Sequence, residues 1–187
     1  AAFQLGRMLL VEDDPRGEIL LTHAASVDPE ARIPAAQLMA AWHERHGRSE
    51  EALAWEGRAY DRSQEEAAAR AERNGMPERK RLRPVELTAA EQAVLRAALA
   101  RVPEAGETHV AQAEPKHLPE RRWLIVAVRP QVPWWKPRSE DADGKLAQAV
   151  ADGLGELGDV TVVTRSGKTA GIAKAVAKVA GAPLPRG

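Results

Sequence analysis

The chain reads as α+β, with an α-helical region followed by a small mixed helix and strand region, on three observations. Apolar residues recur at helical spacing through residues 1–75, interrupted where Asp13-Asp14-Pro15 and Asp28-Pro29 fall. Two short runs rich in β-branched residues, RRWLIVAV and DVTVVT, appear only in the second half. Between the helical region and these runs lies NGMPERKRLRPVEL, with two prolines and a block of basic residues, where the composition changes. The expected division is a helical region over 1–75, a basic linker over 76–87 and an α+β region over 88–187.

The first helix covers residues 1–12, with Phe3, Leu5, Met8, Leu9 and Leu10 spaced for one apolar face. Pro15 suits the first turn of a second helix running to about Val27, with Ile19, Leu20, Leu21 and Ala24 inward. Pro34 opens a third helix through about Arg45, with Leu38, Met39 and Trp42 inward, and Gly47 closes it in a left-handed conformation. Ser49 caps a fourth helix that grows increasingly polar toward Gly75. In the second half, Thr88 and Glu91 form a capping box for a helix through about Arg101. Residues 108–113 form a strand. RRWLIVAV forms a second, apolar on both faces in its middle and therefore central in a sheet. Residues 145–157 form a helix, DVTVVT a third strand and residues 168–180 a last helix. The order α-β-β-α-β-α predicts a small two-layer domain, with helices on one face of a partly antiparallel sheet.

Composition sets limits on function. Acidic and basic residues balance at 27 each, so no global field draws the chain to nucleic acid or an anionic membrane. The basic run of the linker has no interleaved aromatics of the kind that stack on nucleotides. Cysteine is absent, which removes disulfides, thiol catalysis and cysteine-bound zinc. No apolar run approaches the ~20 residues that span a bilayer. The opening AAFQLGRMLL has neither a basic leader nor a cleavage pattern. It reads as the middle of a helix, as though the chain began inside a larger protein.

Four motifs bear on chemistry. His43-Glu44-Arg45-His46 places two histidines at i and i+3, whereas a helical zinc protease needs them at i and i+4 with a glutamate beside the first. The alternatives are a polar last helical turn, where basic residues suit the helix dipole, and a metal-dependent hydrolase using His43 and His46. RSGKTAG, residues 165–171, has the Gly-Lys-Thr of a phosphate loop, but Val162 stands where the earlier glycine of the cradle belongs. A strand-to-helix turn capped by Ser166 is the simpler reading. Trp134 and Trp135, between prolines and beside Lys136 and Arg138, either anchor a partner or close one end of the core. They also offer a contact for oligomerisation. Asp13-Asp14 and Asp141 with Asp143 suit helix starts, and no cofactor is expected.

The helices repeat with a period near 34 residues. Gly17, Leu21, Ala24 and Pro29 match Ala52, Glu56, Ala59 and Gln64. LGRMLL and GRSEEALAWEGRA resemble parts of a tetratricopeptide repeat, with Gly47 at the turn and small Ala52 and Ala59 where helices cross. Glu56 and Gln64 stand where an aromatic and a proline are usual. A TPR-like repeat pair presents a concave face to an extended peptide or a partner helix and places Arg7, Gln37 and Arg45 toward that groove, where they supply hydrogen bonds to peptide backbone or carboxylate groups. The plain helical hairpin bundle has the same local physics.

The longer succession LGRMLLVEDDPRGEILLTHAASVDPEA, AWHERHGRSEEALAW, RSQEEAAARAERNGM, LPERRWLIVAV and PWWKPRSE resembles the C-terminal region of soluble, tetratricopeptide-tailed zinc metallopeptidases of the HtpX-like kind. Those enzymes carry HExxH and a downstream glutamate in a separate catalytic domain, and neither is present here. The resemblance therefore transfers no catalytic or zinc residue. It implies a non-catalytic module that docks substrate proteins or regulates a peptidase domain, with a protein or peptide as partner.

Overall fold

The computed structural model describes residues 1–131, 139–165 and 167–184. It consists of two compact units, Ala1–Ala68 and Ala69–Gly187. The chain is α+β, with N-terminal helices followed by a small sheet domain.

The first unit holds α1 (Ala2–Val11), α2 (Arg16–Val27), α3 (Arg32–Arg45) and most of α4 (Ser49–Arg73). Between α1 and α2, a Cβ built on Gly17 would lie 2.7 Å from both the Gly6 carbonyl oxygen and the Leu10 side chain. Only glycine permits this approach. It fixes which faces are buried: Gly6 and Leu10 on α1, and Gly17, Leu21 and Ala24 on α2. Ile19, expected inward, lies two residues off that stripe and is 71% exposed. Leu5 and Met8 are likewise exposed, because the crossing turns the Gly6 side of α1 inward. Sequence periodicity locates an apolar face, but the small residues decide how the helix is rotated. Leu10, Leu21, Ala35, Met39 and Trp42 form the core, with Phe3, Leu38 and Trp55 partly buried against it.

The helix starting at Pro34 in the sequence reading starts at Arg32, after a single 3-10 turn over Pro29–Ala31 that Asp28 caps by accepting from the Glu30 amide at 2.9 Å. Gly47 at φ +67° closes α3, and residues 46–48 return the chain into α4.

The second unit is built on four strands in the order β1 (Leu82–Arg83), β2 (Ala105–Ala113), β3 (Trp123–Pro130) and β4 (Asp159–Thr164). The pairs β1–β2 and β2–β3 are antiparallel, and β3–β4 is parallel. The registers Val110↔Val126 and Val126↔Val162 carry one row across the sheet. The parallel pair needs a crossover, which α6 (Glu140–Ala151) provides. The observed order α5 (Ala89–Ala100), β2, β3, α6, β4, α7 (Ala170–Ala180) follows the predicted succession, with β1 added in front.

Two expectations need correction. The sheet has helices on both faces. Leu95, Leu99, Leu146 and Val150 of α5 and α6 pack with Val110, Leu124, Val126 and Val128. Ala173 and Val176 of α7 pack on the other side, with Ala111, Trp123, Ile125 and Ala127. The reason is β3 itself, which is buried at every position except Arg129 and so needs cover on both sides. Residues 76–87 are also more than a linker. Leu82 is buried as β1, and Val85 and Leu87 pack against the α5 side of the core. The dense arginines and prolines of that stretch obscured its alternating apolar residues. A smaller difference concerns α6. It begins at Glu140 rather than Lys145, because the Ser139 side chain accepts from the Ala142 amide and Glu140, Asp141 and Asp143 suit the first turn.

The last turn of α4 does polar work in this unit. Glu72 accepts hydrogen bonds from the Lys116 amide at 2.8 Å and the His117 amide at 3.0 Å. Arg73 donates to the carbonyl oxygens of His117, Leu118 and Arg121, and its Nε stands 2.7 Å from Asp159 Oδ2. Together they hold the β2–β3 loop. Burial pushes the Glu72 carboxyl up, but the two amide hydrogen bonds outweigh it and leave the group below its ordinary value. Nearby, Lys116 and Lys80 both contact Glu78 and lower it to about 2.

Candidate partner-binding groove

A groove of about 550 Å³ lies between α3 and α4 in the first unit. Its α3 wall is Ile33, Gln37, Ala40, Ala41 and Glu44. The last four fall at i, i+3, i+4 and i+7, one stripe of a helix. Its α4 wall is Glu56, Ala59, Tyr60 and Ser63, the same spacing on the second helix. Because residues 46–48 reverse the chain, Glu44 and Glu56 both lie toward the turn. Gln37 and Ser63 lie toward the other end. Alanines occupy the middle of both walls, so the centre is shallow in side chains and open to a partner's larger ones. Tyr60 stands beside them, 64% exposed.

Of the residues expected to face a groove, the structure brings Gln37 to this wall but not Arg7 or Arg45. Arg7 is exposed on α1. Arg45 donates from Nη2 to the Leu10 carbonyl oxygen at 3.2 Å, satisfying the open end of α1. Trp134 and Trp135 lie outside the described residues, as does Ser166. Glu44, Glu56, Tyr60 and Ser63 complete the walls, and no motif in the sequence marks them as groove residues. They share their i, i+3, i+4, i+7 stripes with Gln37 and the alanines, but nothing in the sequence separates such a stripe from an ordinary solvated one.

The two histidines of the opening motif part company. His43 is buried, with Nε2 3.7 Å from Glu18. His46 contacts the Trp42 carbonyl oxygen through Nδ1 at 2.8 Å and has Nε2 3.7 Å from Asp13. Both rings pack on Trp42, and the Arg48 guanidinium lies over the same indole, 4.2 Å from the ring centre. The imidazoles thus face different carboxylates and share one indole. Among the described residues, no group of three or more His, Cys, Asp or Glu side chains is placed to hold a metal ion.

The second unit has two further polar places. Glu107 is hydrogen-bonded to Nε2 of the buried His109 at 2.9 Å and meets Arg165 at 3.2 Å and Arg129 at 3.5 Å. The His109 hydrogen bond lowers the Glu107 carboxyl, burial opposes it, and Arg165 adds to the lowering. At the Gly-Lys-Thr turn, Lys168 pairs with Glu140 at 3.1 Å. Thr169 Oγ1 donates to the Thr164 carbonyl oxygen at 2.9 Å. The crevice there measures about 190 Å³ and is lined by Glu140 and Asp143 as well as Lys168, a charge mix unsuited to phosphate.

No family model, curated protein or solved structure matches the chain. Among the described residues, no helix is long and apolar enough to cross a membrane.

Proposed function

We propose that the chain is a non-catalytic protein-interaction module that takes a helical segment of a partner polypeptide into the α3/α4 groove. The observation that carries this reading is the groove's construction, two facing helical stripes with alanine at their centres. Helices pack ridges into grooves, and small residues let a third helix approach closely. An extended strand has less to gain, because the first unit offers no sheet edge among the described residues. Gln37 and Ser63 supply polar contacts at one end. The TPR-like repeat pair is the architecture within which we place this groove, and the docking or regulatory tail of a zinc metallopeptidase is the form of the role that the resemblance implies.

The test uses a display library of helix-forming peptides of about 15 residues, long enough to hold a helix on binding. Peptides selected on the full chain are titrated against wild type and Ala41→Trp. Ala41 is exposed, so the bulky substitution fills the groove without entering the core. The reading expects affinity to fall by more than about tenfold, with helicity unchanged. Equal affinity for Ala41→Trp removes the groove from the account.

A metal-dependent hydrolase using His43 and His46 would instead bind zinc stoichiometrically and lose it on His43→Ala. Metal analysis of the purified protein separates the two readings.

A further inference from the structure

The groove has an uncompensated charge. Glu44 and Glu56 line it at the turn end, and neither has an ion pair or side-chain hydrogen bond among the described residues. Among the described residues, no lysine or arginine lines it. This is not for want of arginines nearby. Arg45, beside Glu44, is taken up by the Leu10 carbonyl oxygen. Arg48 lies over Trp42 and reaches Glu18 at 3.8 Å. Arg58 stacks over Trp55 at 4.1 Å. Arg62 pairs with Glu65 at 3.2 Å and reaches Glu66 at 3.6 Å. Each arginine that flanks the groove in sequence is committed to another partner. Two like charges on facing walls repel, and a cation between them relieves the repulsion while gaining two carboxylate contacts. Tyr60, one turn beyond Glu56 on the same stripe, adds an exposed ring face of the kind that attracts ammonium and guanidinium groups.

We propose that the partner helix carries a lysine or arginine seated over Glu44, Glu56 and Tyr60, with its apolar residues over Ala40, Ala41 and Ala59. The cation fixes the register and direction of the helix in the groove, because only the turn end is acidic. The complementary end, at Gln37 and Ser63, takes neutral polar groups. This inference rests on the groove reading above and adds the chemical identity of the ligand to it.

The experiment selects the same helix-forming display library on wild type, on Glu44→Gln/Glu56→Gln and on Ala41→Trp. The glutamine exchanges keep the side-chain length at two groove-lining helix positions and remove only charge. The expected result is enrichment of Lys or Arg at one end of the wild-type pool, absent from the double-glutamine pool. Synthetic members of the wild-type pool should lose about tenfold in affinity for the double variant. Their affinity for wild type should also fall as NaCl rises from about 50 mM to about 300 mM. Peptides that Ala41→Trp rejects, yet which show no basic preference and no salt dependence, overturn the charge inference and leave the groove reading standing. Peptides bound equally by Ala41→Trp, or no selected peptide at all, overturn the groove reading itself. Should the double-glutamine variant fail to fold, the salt titration on wild type still decides the charge inference.

Discussion

In the first unit, the tightest packing is made by what is missing. Gly6 and Gly17 let α1 and α2 approach closely, and alanines fill α3 and α4. In the second unit, the core around the central strand is made by bulk. Leu124, Ile125, Val126 and Val128 of one strand are sealed between helices on two sides. The consequences differ. The alanines of α3 and α4 leave a shallow, accessible channel between those helices, whereas the central strand has no accessible face. The helical unit also displays Leu5, Met8, Ile19, Leu53 and Tyr60 at its surface. The contrast teaches that the accessible groove goes with small residues, while the sheet supplies a closed core with polar clamps.

The comparison can be broken first at the sheet. Ile125 is fully buried, so Ile125→Ala should cost about 2–5 kcal/mol. Hydrogen exchange should register the loss at the amides of β2, β3 and β4. A cost under about 1 kcal/mol would mean the sheet core is looser than described.

The clamp comes next. Arg73→Ala removes three donations to loop carbonyl oxygens and the partner of Asp159, with an expected cost of about 2–3 kcal/mol. Its companion Glu72 gives a pH signature. A carboxyl held below its ordinary value in the folded state contributes stability that is fully present above that ordinary value, near 4.5. The contribution is lost as pH falls through the lowered folded value. The Lys116 and His117 amide resonances should therefore shift in that acid window in wild type and stay flat in Glu72→Gln. Shifts unaltered by the substitution would assign them to another group.

A third substitution sharpens the helical side. Gly17→Ala forces a Cβ to within 2.7 Å of the Gly6 carbonyl oxygen. The expected cost is about 1–3 kcal/mol, seen as faster exchange in α1 and α2. If Gly17→Ala is neutral, the close crossing is not what holds those helices. The smallest effect belongs to Thr88→Ala. It breaks a capping box in which Thr88 and Glu91 each accept from the other's backbone amide, and should cost about 1 kcal/mol by chemical denaturation.

The sequence was most informative where local chemistry decides the outcome. The Thr88–Glu91 box, the Gly47 turn and the apolar WLIVAV run can be read directly, because caps, positive φ and double-sided burial depend on a few neighbouring residues. Rotation of α1 and α2 was not legible. Ile19 looks inward by periodicity, and only the pairing of Gly6 with Gly17 across two helices turns it out. Leu82 was hidden for a related reason, since a two-residue strand acquires its identity from Ala113 and Gln112 of β2. At the groove, the repeat register names Arg7, Gln37 and Arg45 together, and of the three only Gln37 lies on its wall. Glu44, Glu56 and Tyr60 were not legible, because a groove wall is defined by which stripe the core leaves uncovered.

The most direct measurement is a titration of the isotope-labelled full chain with a library-selected basic helical peptide, followed by amide resonances. The account predicts saturable shifts at Gln37, Ala41, Glu44, Glu56 and Tyr60, with the amides of β2, β3 and β4 unmoved. Shifts confined to the sheet residues, or centred on Arg7 with the α3 and α4 stripes silent, would contradict it.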